Sequence, residues 1–257
     1  MYITSLIMKN EHNTFKLKNI FLIKWRDLLL ESIVEKALFS FFIFVTFIFI
    51  LIHSLSVLDF SVPNYYSKDI LRITSDGSYA EYFQYMLLVG TCYFITLISL
   101  IDKKYFFFLP FFIYLLCDDY LRLHDGKSVE FLSYFEPTFV YLSELTTFRI
   151  KDFYELTMAF IPLFFLFFSF LILKFRDNEL INFMKKFIFS IYSLIFFAVI
   201  VDILGIKIIE LIDTPKHIVN TLIYFFEEAG EMITCSYIFI IFFGFFIKKT
   251  GNNFRID

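Results

Sequence analysis

Residues 37–58, ALFSFFIFVTFIFILIHSLSVL, form an apolar run without a single Asp, Glu, Lys or Arg. As a helix rising ~1.5 Å per residue, this run is about 33 Å long, which is enough to cross the hydrocarbon of a bilayer. The sequence therefore predicts an all-α integral membrane bundle of six transmembrane helices. They lie near 37–58, 82–101, 105–125, 153–175, 187–211 and 218–247.

The composition of the chain supports this class. Of the 257 residues, 59% are hydrophobic and 41 are Phe, and the mean hydropathy is +0.72. A soluble domain of this length could not bury so much apolar surface, so most of that surface must face lipid. The formal net charge of -3 gives no reason to expect a nucleic-acid partner. Membrane lipids are the partners that the composition predicts.

Lysine and arginine are distributed unevenly between the two sides of the predicted bundle. Most of the 23 basic residues fall in the N-terminal tail, the loop between spans 2 and 3, the connection between spans 4 and 5, and the C-terminal tail. The positive-inside rule then predicts cytoplasmic termini and an inner (plasma) membrane location. Residues 1–36 are predicted to be a cytoplasmic segment before the six-helix domain at 37–250. The amphipathic stretch near 17–36 favours an interfacial helix.

The segment 128–150 could be mistaken for a seventh span. It has an apolar side, but Pro137 and the charges of Glu130, Glu136 and Glu144 interrupt it. The sequence therefore predicts an interfacial or re-entrant stretch on the outer face.

Two of the apolar runs contain acidic clusters. One is Asp118-Asp119-Tyr120-Leu121-Arg122-Leu123-His124-Asp125, and the other is Glu227-Glu228-Ala229-Gly230-Glu231. A further acid, Asp202, lies in the fifth run. Carboxylates inside hydrophobic spans are costly, so they indicate a partner or a function. Counting ~1.5 Å per residue from the predicted cytoplasmic ends places all of these acids in the outer third of the bilayer or at its rim.

The charge of this layer is unbalanced, because Arg122 is the one fixed positive charge predicted among its acids. Many ionised carboxylates cannot coexist with one cation in a low dielectric. The layer therefore requires protons on some acids, a bound divalent metal or access to water, and the sequence leaves these three solutions open. The acids concerned are Asp118, Asp119, Asp125, Asp202, Glu227, Glu228 and Glu231.

The first functional hypothesis is a metal-dependent enzyme. Carboxylate oxygens with one imidazole suit a divalent ion such as Mn, Fe or Zn, and Mg would prefer the oxygens alone. Asp119 and Glu227 are the candidate catalytic carboxylates, one acting as general base to a metal-bound water, and Arg122 and Asp202 complete the pocket. A site just under the outer headgroups suits a lipid or lipid-linked substrate. The candidate metal ligands are Asp118, His124, Asp125, Glu228 and Glu231.

Two other hypotheses remain open. A proton- or cation-coupled transporter would also place acids and an arginine inside the membrane, although the inner half of the predicted bundle is almost wholly apolar. A non-catalytic component of a membrane complex would use the acids for pairing between helices. We favour the enzyme over the transporter.

The two acidic clusters resemble a pattern of uncharacterised bacterial polytopic membrane proteins. Asp118-Asp119-x4-His124-Asp125 matches a D-[DE]-x4-H-[DE] helix, and Glu227-Glu228-x-x-Glu231 matches the E-E-x-x-E helix that follows it. The resemblance implies a multi-pass membrane fold and brings no known activity. Two known classes of membrane hydrolase fit less well. The chain lacks the H-x3-H pair of the ceramidase-like superfamily. CAAX-type proteases have histidines after their E-E pair, whereas no histidine follows Glu227-Glu228 here.

Overall fold

The computed structural model of the chain describes residues 28–57, 77–121, 134–146, 150–172, 178–201, 204–205, 208 and 216–254. Every regular element in these ranges is a helix, which confirms the all-α prediction. A 3-10 helix, Lys103–Phe108, and a π-helical segment, Phe196–Val201, accompany seven α-helices. These are α1 (Ile33–Val57), α2 (Tyr79–Ile101), α3 (Leu109–Leu121), α4 (Glu136–Leu145), α5 (Ile150–Ile172), α6 (Asn178–Ile195) and α7 (Lys216–Phe254).

Large apolar side chains cover much of the outside of the bundle. Phe44 is 59% exposed, Phe47 58% and Phe164 60%. Such a surface is stable against lipid and not against water. The prediction of a multi-pass membrane protein is therefore confirmed at the level of four helices that are long and apolar enough to cross a membrane. They are Ile33–Leu55, Tyr79–Ile101, Leu180–Val201 and Leu222–Gly251.

The predicted span near 105–125 is not one continuous α-helix. The 3-10 helix occupies residues 103–108, α3 begins only at Leu109, and residues 122–125 lie outside the described chain. Pro110 accounts for the late start, because a proline has no N–H to donate and is tolerated in the first turn of an α-helix. The predicted span near 153–175 corresponds to α5. Its apolar part, Leu156–Leu171, is shorter than the ~20 residues of an ordinary span.

α1 begins earlier than predicted, at Ile33 instead of residue 37. Ser32 and Glu35 form a capping box: Ser32 Oγ accepts a hydrogen bond from the Glu35 N–H at 3.0 Å, and the Glu35 carboxylate accepts one from the Ser32 N–H at 3.1 Å. Residues 29–32 are not helical. The interfacial helix predicted near 17–36 therefore does not run through them, and residues 1–27 lie outside the described chain.

α6 also begins earlier than predicted, at Asn178 instead of residue 187. Leu180, Phe183 and Met184 are buried in its first turns and anchor them to the bundle. Lys186 was expected in a loop because of its charge, but it is only 8% exposed and pairs with Glu31. This pairing lets the helix extend through a lysine that the sequence places outside the membrane.

α4 shows that residues 136–145 do not form a seventh span. A helix of ten residues is about 15 Å long, which is half the thickness of the hydrocarbon. Phe139 fixes this helix to α5, since its ring lies 5.9 Å from that of Phe153 and 5.0 Å from that of Tyr154.

α7 is the central helix and packs against α1, α2 and α6. Within the apolar stretch of each helix, 61% of the α7 residues are buried but only 17% of the α1 residues. Phenylalanine rings fill the space around it: the rings of Phe108 and Phe187 lie 5.2 Å apart, and those of Phe112 and Phe242 lie 5.3 Å apart. All four side chains are fully buried. This part of the bundle is therefore a packed aromatic core.

Side-chain hydroxyls satisfy two carbonyls that prolines leave without an N–H partner. Pro162 inside α5 cannot donate to the carbonyl of Met158, and the Tyr114 hydroxyl of α3 donates to that carbonyl at 3.1 Å. Unsatisfied backbone groups are costly in hydrocarbon, so this bond stabilises the α3–α5 pair.

Pro110 creates the matching situation on the other side of the same helix pair. It cannot donate to the carbonyl of Phe107, three residues earlier, and the Ser169 hydroxyl of α5 lies 2.6 Å from that oxygen. Tyr114 and Ser169 thus connect α5 to α3 and to the 3-10 helix before it, at two levels. The order of these contacts shows that α3 and α5 are antiparallel.

We expect Tyr114→Phe to lower the unfolding free energy of the detergent-solubilised protein by about 1–3 kcal/mol, because the Met158 carbonyl loses its donor. The measurement is the thermal midpoint by circular dichroism. Tyr93→Phe is the matched control, since Tyr93 is 59% exposed on α2. Equal midpoints for the two variants would contradict the role given to Tyr114.

Candidate functional site

The two ends of the bundle differ in charge. At one end, Glu31, which lies just before α1, contacts Lys186 of α6 and Lys248 of α7. The ring of Tyr105 in the 3-10 helix lies 5.3 Å from that of Phe245 in α7. The start of α1, the 3-10 helix, the start of α6 and the end of α7 therefore meet here. We call this the basic end, because the seven Lys side chains that the structure describes all lie there, while the side chains of Lys151 and Lys216 are not described. The seven are Lys36, Lys103, Lys104, Lys185, Lys186, Lys248 and Lys249.

The opposite end, which we call the acidic end, holds most of the described carboxylates. Among the side chains described there, none is a Lys or an Arg. For the side chains that the structure describes, the lysines are therefore separate from the membrane acids, as predicted. The described acids of this end are Glu81, Asp118, Glu136, Glu144, Glu227, Glu228 and Glu231.

Ring contacts bring four helices together at the acidic end. Tyr120, at the end of α3, packs against Tyr85 of α2 with ring centroids 6.0 Å apart. His53 of α1 is buried, and its ring lies 6.1 Å from that of Phe225 of α7. Both helix pairs therefore extend into the acidic end of the bundle, α3 beside α2 and α7 beside α1.

The four predicted site acids with described side chains are all half-buried. One carboxylate oxygen of Asp118 and one of Glu227 are completely shielded from solvent by the protein. At 3.6 residues per turn, Glu227 and Glu231 lie on one face of α7 with Glu228 beside them. These carboxylates are thus partly within the protein and do not simply form a solvated rim.

The other predicted site residues lie outside the described chain. This applies to Arg122, His124, Asp125 and Asp202, and to the side chain of Asp119 within α3. In the described ranges, no group of three or more His, Cys, Asp or Glu side chains is arranged to hold a metal ion. The predicted metal site therefore depends on His124 and Asp125 and stays a prediction.

Gly230 determines how α6 and α7 meet at the level of the acids. A Cβ atom at this position would overlap the ring of Phe197, which belongs to the π-helical segment after α6. The absence of a side chain lets that ring lie directly on α7, between the positions of Glu227 and Glu231. π-Helical segments are rare and often accompany functional sites. Asp202 directly follows this segment in the sequence.

Glu81 has a structural role at the acidic end. Its backbone N–H donates to Ser78 Oγ at 3.2 Å, and its carboxylate accepts hydrogen bonds from the Gly77 N–H and the Tyr85 hydroxyl. Ser78 thus caps the start of α2, and Glu81 reaches back to the residue before this cap. Glu81 is therefore not a candidate site residue.

Sequence reasoning missed an ion cluster at the basic end. The Glu31 carboxylate contacts Lys186 Nζ at 3.2 Å through one oxygen and Lys248 Nζ through the other. The hydrogen bond from Lys248 and the charge of Lys186 lower the pKa of Glu31. Its partners lie far along the chain, so no local pattern could reveal them. The one local signal in the sequence is the neighbouring Ser32-x-x-Glu35 pattern, which is typical of a helix N-terminus.

No protein-family model matches the chain, and comparisons with curated proteins and with solved structures also give no match. The functional assignment therefore rests on the side chains described above.

Proposed function

We propose that the chain is a six-span protein of the inner (plasma) membrane, with both termini in the cytoplasm, that binds a divalent cation at the acidic end. In this proposal the ion serves a reaction on a lipid or lipid-linked substrate. Span 3 is α3 with its 3-10 turn, and span 4 is α5, whose apolar part is shorter than an ordinary span. The basic end faces the cytoplasm, as the positive-inside rule requires.

One observation carries the proposal: half-buried carboxylates of α3 and α7 lie at the end of the bundle where no described side chain is a Lys or Arg. Repulsion between such groups is strong in a low dielectric. A divalent ion removes it, and carboxylate oxygens are ligands that such ions prefer. The predicted site acids described at this end are Asp118, Glu227, Glu228 and Glu231.

The residue roles follow the chemistry of the donor set. Asp118, His124, Asp125, Glu228 and Glu231 would hold the ion, which would act as a Lewis acid and supply a nucleophilic water. Asp119 or Glu227 would accept the proton of that water, and Arg122 and Asp202 would orient the carboxylates and the substrate. Glu227 is suited to a mobile proton because one of its oxygens is shielded from solvent.

The aromatic core favours this enzyme over a transporter. Phe108, Phe112, Phe187 and Phe242 close the basic half of the described bundle, and a charged solute would need water or polar groups there.

The test is the metal content of the purified full-length protein, measured by inductively coupled plasma mass spectrometry. We expect about one divalent ion per chain, and a severalfold loss in His124→Ala and Glu228→Ala. Glu144→Gln is the matched control, since Glu144 is an exposed acid at the same end. The proposal would be refuted if the wild-type protein contained no metal and the two alanine variants had the same metal content as the wild type.

A further inference from the structure

A cavity of about 210 Å³ opens at the basic end, between the first turns of α6 and the last turns of α7. It lies beside the start of α1, where the apolar stretch Ile33–Leu55 begins, and therefore at the level of lipid headgroups. Two phenylalanines, a leucine and an isoleucine form its apolar side, and charged and amide groups form its polar side. The residues that matter are Glu31, Asn182, Phe183, Lys186, Phe245 and Lys248.

The two lysines of this cavity are held in place by one carboxylate. Lys186 Nζ lies 3.2 Å from Glu31 Oε1, and Lys248 contacts Glu31 Oε2. These three groups have a net charge of +1, and the Glu35 carboxylate, which also lines the cavity, balances it. Each ammonium has three N–H donors, so a single contact with Glu31 does not exhaust either of them.

The other carboxylate of the cavity, Glu35, is engaged by the backbone. It accepts hydrogen bonds from the N–H groups of Glu31 at 2.8 Å and Ser32 at 3.1 Å. Gly244 leaves the space that this carboxylate fills, because a Cβ there would overlap it. Since two N–H donors stabilise the charge of Glu35, it competes less than Glu31 for the lysines.

The surroundings of the cavity are cationic. Lys36, Lys185 and Lys249 lie at the same end of the bundle. Basic pockets between transmembrane helices on the cytoplasmic side are suited to anionic headgroups, because several ammonium groups meet the phosphate where the dielectric is already low.

We propose that this cavity binds a phosphate group, with Lys186 and Lys248 as its cationic ligands and the Asn182 amide as a further donor. The phosphate belongs to an anionic lipid headgroup or is free in solution. Glu31 is the internal competitor: it holds the lysines in position and yields part of their hydrogen-bonding capacity to the anion. This site is independent of the metal proposed for the acidic end.

The competitor role gives substitutions of opposite sign. Lys248→Gln removes a ligand, and we expect about fivefold weaker binding, as one headgroup-level lysine contributes ~1 kcal/mol. Glu31→Gln removes the competing charge, and we expect tighter binding. If the ion cluster were purely structural, Lys248→Gln and Glu31→Gln would both lower the stability of the fold, and neither would strengthen anion binding. Lys104→Gln is the control: Lys104 lies at the same end and pairs with Asp102 at 2.6 Å.

The experiment measures binding of the full-length protein in nanodiscs of phosphatidylcholine with increasing phosphatidylglycerol, by native mass spectrometry of retained lipid. A second arm titrates inorganic phosphate against the detergent-solubilised protein and follows the thermal midpoint. Retention of phosphatidylglycerol that Lys248→Gln lowers and Lys104→Gln leaves within twofold supports a headgroup site. The same pattern with inorganic phosphate alone supports a free-phosphate site.

Two results would overturn the proposal. One is equal loss of anion binding in Lys248→Gln and Lys104→Gln, which would make the attraction a general property of the charged surface. The other is weaker anion binding in Glu31→Gln while the protein stays folded. Lys248 is more exposed than Lys186, with side-chain exposures of 37% and 10%, so Lys248→Gln is the variant less able to disturb folding.

Discussion

Gly230→Ala should destabilise the protein by ~1–3 kcal/mol although it adds a single methyl group. The new Cβ would overlap the ring of Phe197, and both groups belong to helices packed on either side of the contact. The ring has to move away from α7, and with it the π-helical segment that leads to Asp202. For a protein of this size the thermal midpoint should fall by several degrees, at about 2–4 °C per kcal/mol.

Two further variants make this prediction specific. Gly251→Ala places a methyl group where nothing lies within 4 Å, so it should leave the midpoint unchanged or raise it slightly, since alanine favours helix more than glycine. Phe197→Leu should relieve much of the damage when it is combined with Gly230→Ala, which a double-mutant cycle would detect. Additive effects in that cycle would contradict a direct contact between the two residues.

The parts of the fold that sequence predicts are those that depend on local composition. An apolar run such as 37–58 must be a helix in hydrocarbon, because only a helix pairs its backbone groups internally. Charge is similarly legible. The Lys side chains that the structure describes lie together at one end, while Asp118 and the acids of α7 lie at the other.

The parts that sequence does not predict depend on partners distant in the chain. By its charge, Lys186 is typical of a loop, and only the packed structure shows its pairing with Glu31. The predicted start near residue 187 is therefore later than the observed start of α6 at Asn178. Hydrogen bonds such as that of Tyr114 to Met158 become visible only when α3 and α5 are packed together. The cavity at the basic end depends on the same long-range packing, and no periodicity along the chain encodes it.

The acidic end illustrates both situations at once. Helical spacing predicts that Glu227 and Glu231 share a face, and the helix in the structure has this arrangement. Spacing could not predict that Gly230 would receive the ring of Phe197. The glycine therefore has a packing role within a motif that otherwise consists of carboxylates.

Removing divalent metal should destabilise the protein by an amount comparable to the largest effects of substitution. An ion that binds only the folded state contributes RT ln(1 + [L]/Kd), which is about 2.7 kcal/mol at a hundredfold excess over Kd. We therefore expect a chelator to lower the thermal midpoint of the purified wild-type protein and added Mn²⁺ or Zn²⁺ to restore it. Restoration also separates loss of the ion from irreversible damage.

The amide variants Glu228→Gln and Glu231→Gln then decide among metal, protons and water in the acidic layer. If a metal neutralises these carboxylates, each variant should lose most of the chelator-sensitive stabilisation, because an amide oxygen carries no charge to offset that of the ion. If the acids hold protons instead, an amide is a close mimic of the neutral acid, and the variants should be as stable as the wild type with or without chelator. If water solvates the layer, removing one of several repelling charges should stabilise the protein slightly. A midpoint that the chelator does not change, combined with amide variants at least as stable as the wild type, would therefore exclude the metal-dependent enzyme.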